Sequence, residues 1–294
     1  MFRHAGIYYA VGTGPLPPSE QAFEFPLLRS VDRVHWESLG GALIRAAEPG
    51  HHYWAPEIAE HDGVFYMYYS VGVSDERHEL RVAISDVPQG PYVETSNPVL
   101  DPGTASFAID PSPFRDQDGR WYLFYARDFL DSNDGFRPGT GLVVAPLTDM
   151  VRIAAEYTVV MRARHDWQRY QANRPIYNDI FDWHTLEGPC AVWHVGRYYC
   201  LYSGGNWQND SYGIDFVTAD NILGPWQDTN SSEGPRILRT IPNQLIGPGH
   251  NSLTQDAEGR PLIAYHAWDS AKTARRLHLS PLDWTSAGPT LAVQ

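Results

Sequence analysis

The sequence predicts an all-β protein, a five-bladed β-propeller, from its composition, its periodicity and an internal repeat. Phe, Trp and Tyr total 38 of the 294 residues and Gly and Pro total 48, while only 19% of residues are charged. Aromatic residues separated by many turn-forming residues are typical of short antiparallel strands. No segment between the predicted strands carries the 3.6-residue hydrophobic period of an amphipathic helix. A β-sandwich would explain the strands but not their fivefold recurrence.

The repeat consists of a glycine at a turn, a one-residue spacer and a segment rich in aromatic residues with the alternating pattern of a β-strand. A glycine suits the positive φ of a hairpin turn, and each run is predicted to be the strand that follows. About 20 to 30 residues later, a strand and a polar turn recur, the spacing expected of propeller blades. The five repeat glycines are Gly6, Gly63, Gly119, Gly196 and Gly259, and the second signatures cover residues 30–36, 83–92, 143–149, 217–226 and 279–284.

We predict a single five-bladed propeller domain over residues 1–294, with a first blade truncated at its N-terminus because Gly6 stands so early in the chain. Residues 1–11 resemble the charged and apolar parts of a signal peptide. The repeat instead assigns them to the first hairpin, so the sequence identifies no signal peptide and leaves the localisation undetermined.

Charge and motifs exclude several classes of function. The net charge of −13 disfavours phosphate backbones and anionic lipid surfaces, so we expect neither a nucleic acid nor a membrane as a partner. No apolar stretch reaches the roughly 18 residues of a membrane-spanning helix. The 12 histidines show no zinc-binding spacing. Cys190 and Cys200 are predicted on neighbouring strands slightly out of register, which favours two free thiols over a disulfide.

Four residues stand nine positions before a repeat glycine, where the innermost strand of a propeller blade begins. They are Trp54, Asp110, Glu187 and His250. An aromatic platform, two carboxylates and an imidazole are what a sugar-cleaving pocket uses. For either carboxylate alone, a role in closing a turn with the residues that follow is the favoured explanation, but four matched offsets together favour a site.

The local sequences around these positions resemble the blade motifs of glycoside hydrolase family 43. The motifs are Trp54-Ala55-Pro56-Glu57, Ile109-Asp110-Pro111-Ser112, Glu187-Gly188-Pro189 and Gly247-Pro248-Gly249-His250-Asn251-Ser252, with Tyr265-His266-Ala267 in the last blade. The resemblance runs the length of the chain. It implies a five-bladed propeller that hydrolyses α-L-arabinofuranosides or β-D-xylosides with inversion, on arabinose- or xylose-containing oligosaccharides or polysaccharides. The related fructan hydrolases fit less well. They would have an arginine before the second carboxylate and a cysteine after the acid, where this sequence has Ile109 and Gly188.

The resemblance also implies roles for the two carboxylates. Glu187 would be the general acid, and Asp110 the carboxylate that orients it and raises its pKa by like-charge repulsion. The general base of the family would fall two or three residues before Met1. We therefore expect weak hydrolysis by residues 1–294, or a non-catalytic sugar-binding propeller. Carboxylates that might substitute, without support from position, are Asp32, Glu57, Asp182 and Asp215.

Further residues are expected to bind the sugar. Trp54 would form a wall of the subsite for the cleaved sugar, and Ile109 is a further predicted contact. Trp207 would either line the pocket as well or belong to a loop that only turns the chain. Arg275 resembles the family's sugar-binding arginine, with Arg276 as a rival. No cofactor is expected for the chemistry, but a calcium or sodium ion, or its water shell, is implied near His250.

The segment 157–186 is the widest gap between repeats and mixes four arginines with six aromatic residues. Two interpretations stay open. It is either a rim that binds the leaving-group sugars or a loop packed against a neighbouring blade or a second subunit.

Overall fold

Short antiparallel strands make up almost all of the regular structure. The computed structural model describes residues 1–46, 50–100, 106–230 and 233–291. Within these ranges the helical elements are three 3₁₀ turns, at Pro18–Glu20, Asn133–Gly135 and Asp166–Gln168. None of the helices in the described ranges has the length and apolar character to cross a membrane. The chain divides into two compact units, Met1–Leu123 with Ala145–Glu156, and Phe124–Val144 with Tyr157–Gln294.

The first unit contains two four-stranded sheets in which each strand pairs with the next along the chain. The first sheet consists of β1 (Phe2–His4), β2 (Ile7–Val11), β3 (Phe23–Ser30) and β4 (Glu37–Ile44). The second consists of β5 (His52–His61), β6 (Val64–Ser74), β7 (Arg77–Ser85) and β8 (Val93–Val99). The two strands within residues 1–11 agree with the assignment of this segment to a hairpin.

Aromatic side chains from these two sheets form the core of the first unit. Phe25 and Leu27 of β3 belong to the same buried cluster as Tyr53 of β5 and Met67 and Tyr69 of β6. The ring of Phe25 meets that of Tyr69 edge-on, with centroids 5.6 Å apart. The two sheets therefore pack face to face, as neighbouring blades do.

The third sheet has seven strands. They are β9 (Ala108–Arg115), β10 (Trp121–Phe129), β11 (Gly139–Asp149), β12 (Arg152–Ile153), β13 (Thr158–Met161), β14 (Arg169–Ile176) and β15 (Asp179–His184). The main path runs β14-β15-β11-β10-β9, while β12 and β13 both pair with β11. Strand β15 joins β11 in parallel through Gly139 and His184. The segment between the third and fourth repeats thus enlarges this sheet with a hairpin of its own.

The second unit contains the last two sheets. The fourth is β16 (Leu186–His194), β17 (Arg197–Gly204) and β18 (Gly213–Ala219); the fifth is β19 (Ile246–Gln255), β20 (Pro261–Trp268), β21 (Arg275–Thr285) and β22 (Gly288–Leu291). Leu201 and Ile214 of the fourth sheet share a buried cluster with Ile263 and Leu282 of the fifth. These two sheets also pack through their faces.

The structure confirms the predicted hairpins. All five repeat glycines have a positive φ, between 79° and 87°, and each lies in the turn before the predicted strand. Cys190 and Cys200 lie on the paired strands β16 and β17 one position out of register, as the sequence predicts. The fold is all-β and propeller-like, with four blade-like sheets of three or four strands in the described residues. The closure of a five-bladed ring and the single domain over residues 1–294 stay predictions.

Candidate active site

Strand β16 begins with a β-bulge that carries the predicted general acid. Glu187 pairs with Ser203 and Cys190 with Leu201, so three residue steps on β16 oppose two on β17. Gly188 takes up the extra residue at a φ of +56°, a conformation that glycine adopts at little cost. A bulge bends its strand and re-aims the side chains beside it. The Glu-Gly-Pro motif therefore fixes the direction of the Glu187 carboxyl group.

The same bulge occurs in β5 and β19, and it corrects the predicted register. The left-handed residues are Ala55, Gly188 and His250, and Asp110 of β9 has the same conformation. Each of these residues stands eight positions before its repeat glycine where the hairpin turn has two residues. The offset is nine positions where the loop is longer, as at Asp256–Arg260, where the backbone N–H of Asp256 donates to the carbonyl of Arg260. Trp54 and Glu187 therefore precede the position that Asp110 and His250 occupy. The predicted equivalence of the four positions is wrong by one residue for two of them.

Within the second unit, the Glu187 carboxyl group is bound by a buried tyrosine. The hydroxyl of Tyr212 donates to Oε1 of Glu187 over 2.5 Å, and Tyr212 is 1% exposed. The ring lies against the backbone of Gly249, where an added Cβ would stand 1.8 Å from the Tyr212 ring. Only glycine fits at this close approach. The second glycine of the Gly-Pro-Gly-His motif thus has a packing role beside Glu187.

The ring of His266 is stacked with the Tyr212 ring. The two rings are nearly parallel, 8° apart in plane and 5.8 Å apart between centroids. Nη1 of Arg275 lies 3.1 Å from Nε2 of His266. Because a guanidinium group only donates, Nε2 is the acceptor and the proton of the neutral ring is on Nδ1. Burial, and then the charge of Arg275, lower the pKa of His266 well below its usual range, so the ring stays neutral.

Arg275 is also held by aromatic residues, which favours it over its rival. Its guanidinium carbon lies 4.7 Å from the centre of the Trp207 ring, and Trp207 stacks on Trp268 at 6.3 Å. Trp268 Nε1 in turn donates to the carbonyl of Trp207 over 2.8 Å. Arg276 instead lies 3.5 Å from Asp269. The structure therefore brings two predicted sugar-binding residues, Arg275 and Trp207, into contact with each other and leaves Arg276 out.

His250 lies beside the residue that follows Glu187. A Cβ added to Gly188 would be 3.2 Å from Cγ of His250, and the backbone N–H of His250 donates to Oγ of Ser203 over 2.7 Å. Its ring is 6.3 Å from that of His266. The described residues contain no group of three His, Cys, Asp or Glu side chains arranged to hold a metal ion. One imidazole suits a place in an ion's water shell better than direct coordination, and the predicted ion stays a prediction.

In the first unit, Trp54 rests on a second buried imidazole. The rings of Trp54 and His78 stack at 3.8 Å between centroids, and His78 is 3% exposed. Burial, and then the nearby His52 and His51, lower the pKa of His78 to about 3. His78 therefore supports Trp54 as a neutral, flat surface. Asp110 is 6% exposed and so is Ile109.

The carboxylates proposed as substitute bases are mostly occupied by the protein itself. Asp32 accepts backbone hydrogen bonds from Val34 and His35 in a turn. Asp182 accepts from the backbone of Asn173 over 2.9 Å. Asp215 is fully buried and pairs with Arg236 at 2.5 Å. These contacts close turns and join strands, which gives these three groups structural roles.

The arginines of segment 157–186 are largely matched with aromatic rings of the same unit. Arg162 lies 4.7 Å above Phe129 and 4.6 Å from Phe136. Arg174 lies 5.0 Å from Tyr170, whose carbonyl accepts from Nδ2 of Asn206 over 2.9 Å. The segment thus packs against the loop that contains Trp207. This contact supports the interpretation as a packed loop, and sugar binding by its edge stays a prediction.

The sequence analysis did not predict the contacts of Tyr212 with Glu187 or of His266 with Arg275. Tyr212 stands just ahead of β18, where the repeat has no counterpart. His266 lies in a quoted motif, but nothing in that motif indicates its contact with Arg275. A single sequence contains no signal for either contact, because both partners meet only when separate strands pack together.

A propeller-like fold with a half-buried, hydrogen-bonded carboxyl group among histidine, arginine and tryptophan side chains is typical of a glycosidase. The model of the glycosyl hydrolases family 43 matches residues 1–289. The chain belongs to this family.

Relatives and solved structures agree with the family assignment. The chain is 27% identical to a β-D-galactofuranosidase of Aspergillus niger, covering 97% of this chain and 78% of that protein. It is 23% identical to xylosidase/arabinosidase 43A of Humicola insolens, over 90% and 77% of the two chains. The crystal structure of a thermostable family-43 glycoside hydrolase superposes with a TM-score of 0.82 at 26% identity, covering 100% of this chain and 92% of that one.

Proposed function

We propose that this protein hydrolyses α-L-arabinofuranosyl linkages of arabinan or arabinoxylan, or else β-D-xylosyl linkages, with inversion at the anomeric carbon. Support comes from family membership over residues 1–289 and from relatives named as a xylosidase/arabinosidase and as an endo-α-(1→5)-L-arabinanase of Bacillus subtilis. A relative named as a galactofuranosidase also acts on a five-membered sugar ring.

The observation that carries the proposal is the environment of Glu187. Its carboxyl group is bound by Tyr212 and lies in the unit where Arg275 is held between His266 and Trp207. A carboxyl group fixed in this way suits a general acid, while a guanidinium group held by two partners suits recognition of a sugar hydroxyl. Trp54, backed by His78, suits stacking on an apolar sugar face.

The proposed reaction uses two carboxyl groups on opposite faces of the sugar. Glu187 gives its proton to the glycosidic oxygen as the bond from that oxygen to the anomeric carbon breaks. A water molecule forms the new bond to the same carbon from the other face and gives its proton to a carboxylate base, about 6.5–9.5 Å from the acid in inverting enzymes. Asp110 is proposed to orient the acid and keep it protonated. The expectation that the base lies outside residues 1–294 stays a prediction.

Substitution of the acid tests the proposal. Arabino- and xylo-oligosaccharides are incubated with the purified protein, and NMR follows which anomer forms first. Glu187→Gln is expected to lower kcat/KM about 10²- to 10⁴-fold, because the glutamine amide cannot supply the proton. The matched control, Glu156→Gln, changes an exposed glutamate and should leave the rate unchanged.

Three outcomes would contradict parts of the proposal. A Glu187→Gln variant as active as the parent would refute the role of Glu187 as the general acid. A product that retains the anomeric configuration of the substrate would refute an inverting mechanism. Oligosaccharide binding without hydrolysis, by a protein that also contains residues upstream of Met1, would favour a sugar-binding propeller. Hydrolysis at ordinary rates by residues 1–294 would refute the expectation of an external base.

A further inference from the structure

We propose that Tyr212 is a positioning residue that determines which oxygen of Glu187 carries the catalytic proton. The inference rests on the proposed function, in which Glu187 is the general acid. Tyr212 binds the carboxyl group of Glu187 and is only 1% exposed, so it is proposed to act through Glu187 and not by contact with the sugar.

The hydrogen bond itself assigns the two carboxyl oxygens. The Tyr212 hydroxyl donates to Oε1 over 2.5 Å, so Oε1 is the acceptor. A protonated carboxyl group has a single O–H, and with Oε1 engaged as acceptor this proton resides on Oε2. A general acid must present its O–H toward the leaving oxygen, within hydrogen-bond distance of it. Tyr212 therefore selects Oε2 as the oxygen that delivers the proton.

Packing around its ring holds the tyrosine hydroxyl in place. The Tyr212 ring lies close against the backbone at Gly249, and it is stacked with the ring of His266, the residue that pairs with Gly249 across β19 and β20. His266 is held in turn by Arg275, which donates to its Nε2 over 3.1 Å. A side chain that is 1% exposed and enclosed in this way has little rotational freedom left to lose. Such preorganisation is what gives a positioning contact its catalytic effect.

The hydrogen bond also affects how readily the proton leaves. A donor to a carboxylate favours the ionised form, so Tyr212 helps Glu187 to release its proton as the leaving oxygen gains charge. Asp110 is proposed to have the opposite effect on Glu187, because its negative charge favours the protonated form of the acid. Loss of the tyrosine hydroxyl should then move the basic limb of the pH profile of kcat/KM to higher pH.

The leaving group gives the sharpest test, because a sugar leaving group needs protonation whereas a dinitrophenolate does not. In Tyr212→Phe we expect kcat/KM to fall about 10- to 100-fold for the oligosaccharide and less than about 3-fold for the dinitrophenyl glycoside of the same sugar. Tyr265→Phe is the matched control. It also deletes a buried hydroxyl, 3.3 Å from Oγ of Ser280, and should leave the ratio of the two rates and the pH profile unchanged.

A second variant keeps the hydroxyl but moves it. Gly249→Ala would push the Tyr212 ring away and should give the same selective loss on the oligosaccharide, with thermal unfolding as a check of the fold. The inference is refuted if folded Tyr212→Phe slows both substrates equally with an unshifted basic limb. Glu187→Ala is measured alongside. If that variant also cleaves the oligosaccharide normally, the proposed function fails; if it does not, while Tyr212→Phe behaves like the parent, only the positioning role fails.

Discussion

Replacing Arg236 with alanine should destabilise the second unit by leaving a buried carboxylate without its cation. Asp215 on β18 is fully buried, whereas the Arg236 side chain that pairs with it over 2.5 Å is 26% exposed. The same guanidinium group lies 3.8 Å above the Phe216 ring and donates to the carbonyl of Phe216. Strand β18 follows directly on Tyr212, so this ion pair supports the segment that leads to the acid.

The size of the effect follows from these contacts. Breaking a fully buried ion pair costs about 3–5 kcal/mol. Water can reach the partly exposed Arg236, and Asp215 keeps its hydrogen bonds from Asn230 and the Phe216 N–H, so about 2–4 kcal/mol is expected here. For a chain of 294 residues that lowers Tm by about 3–7 °C.

The loss should also depend on pH in a defined direction. Burial raises the pKa of Asp215, and Arg236 opposes that rise. A carboxyl group whose folded pKa is raised weakens folding when it is ionised, and this penalty is relieved as the pH falls through that pKa. Without Arg236 the penalty grows, so the gap in Tm between parent and Arg236→Ala should narrow from pH 7 to pH 5.

Thermal unfolding followed by circular dichroism measures both effects. Arg197→Ala is the control, because Arg197 pairs at 3.1 Å with Asp220 and both side chains are exposed, a kind of pair that adds little stability. A Tm for Arg236→Ala that matches the Arg197→Ala variant, or a gap that widens on acidification, would refute the reasoning.

Two further predictions concern the proposed site. Arg275→Ala should lower kcat/KM about 10- to 100-fold through loss of a charged hydrogen bond to the sugar. Arg276→Ala loses its contact with Asp269 and should keep a kcat/KM close to that of the parent. Equal losses for the two variants in steady-state assays would contradict the proposal that Arg275 is the sugar-binding arginine. Asp110→Asn removes a negative charge that is proposed to keep the acid protonated, so the basic limb of the pH profile should move to lower pH. An unmoved limb would show that Asp110 has no electrostatic effect on the acid.

Much of the fold was predictable because its signals are local. The hairpin glycines have positive φ and stand at turns that the neighbouring residues define, so composition and spacing suffice to place them. The extension of the third sheet by β14 and β15 was not predictable. Its segment lies between repeats, and its pairing with β11 through Gly139 and His184 joins residues that are distant in sequence.

The site was predictable in part for the same reason. The repeat and the motifs identified Glu187 and His250 as candidate site residues. Counting nine residues back from every repeat glycine, however, ignored the different lengths of the hairpin turns. The bulge at Gly188 shows that Glu187 and His250 do not hold equivalent positions. The proposal of Arg275 over Arg276 as the sugar-binding arginine depends on the contact of Arg275 with His266. That contact depends on the direction in which each side chain points from β21.

The sequence by itself determined the strand-rich class, the five hairpins and the motifs that mark the family, since turn chemistry and alternation act over a few neighbouring residues. Only the tertiary structure decided that Tyr212 binds Glu187, that Gly249 must lack a side chain, and that Arg275 rests on Trp207 and His266. Those contacts join residues from different strands and loops. They depend on how the faces of the sheets pack, and packing is a property of the folded chain.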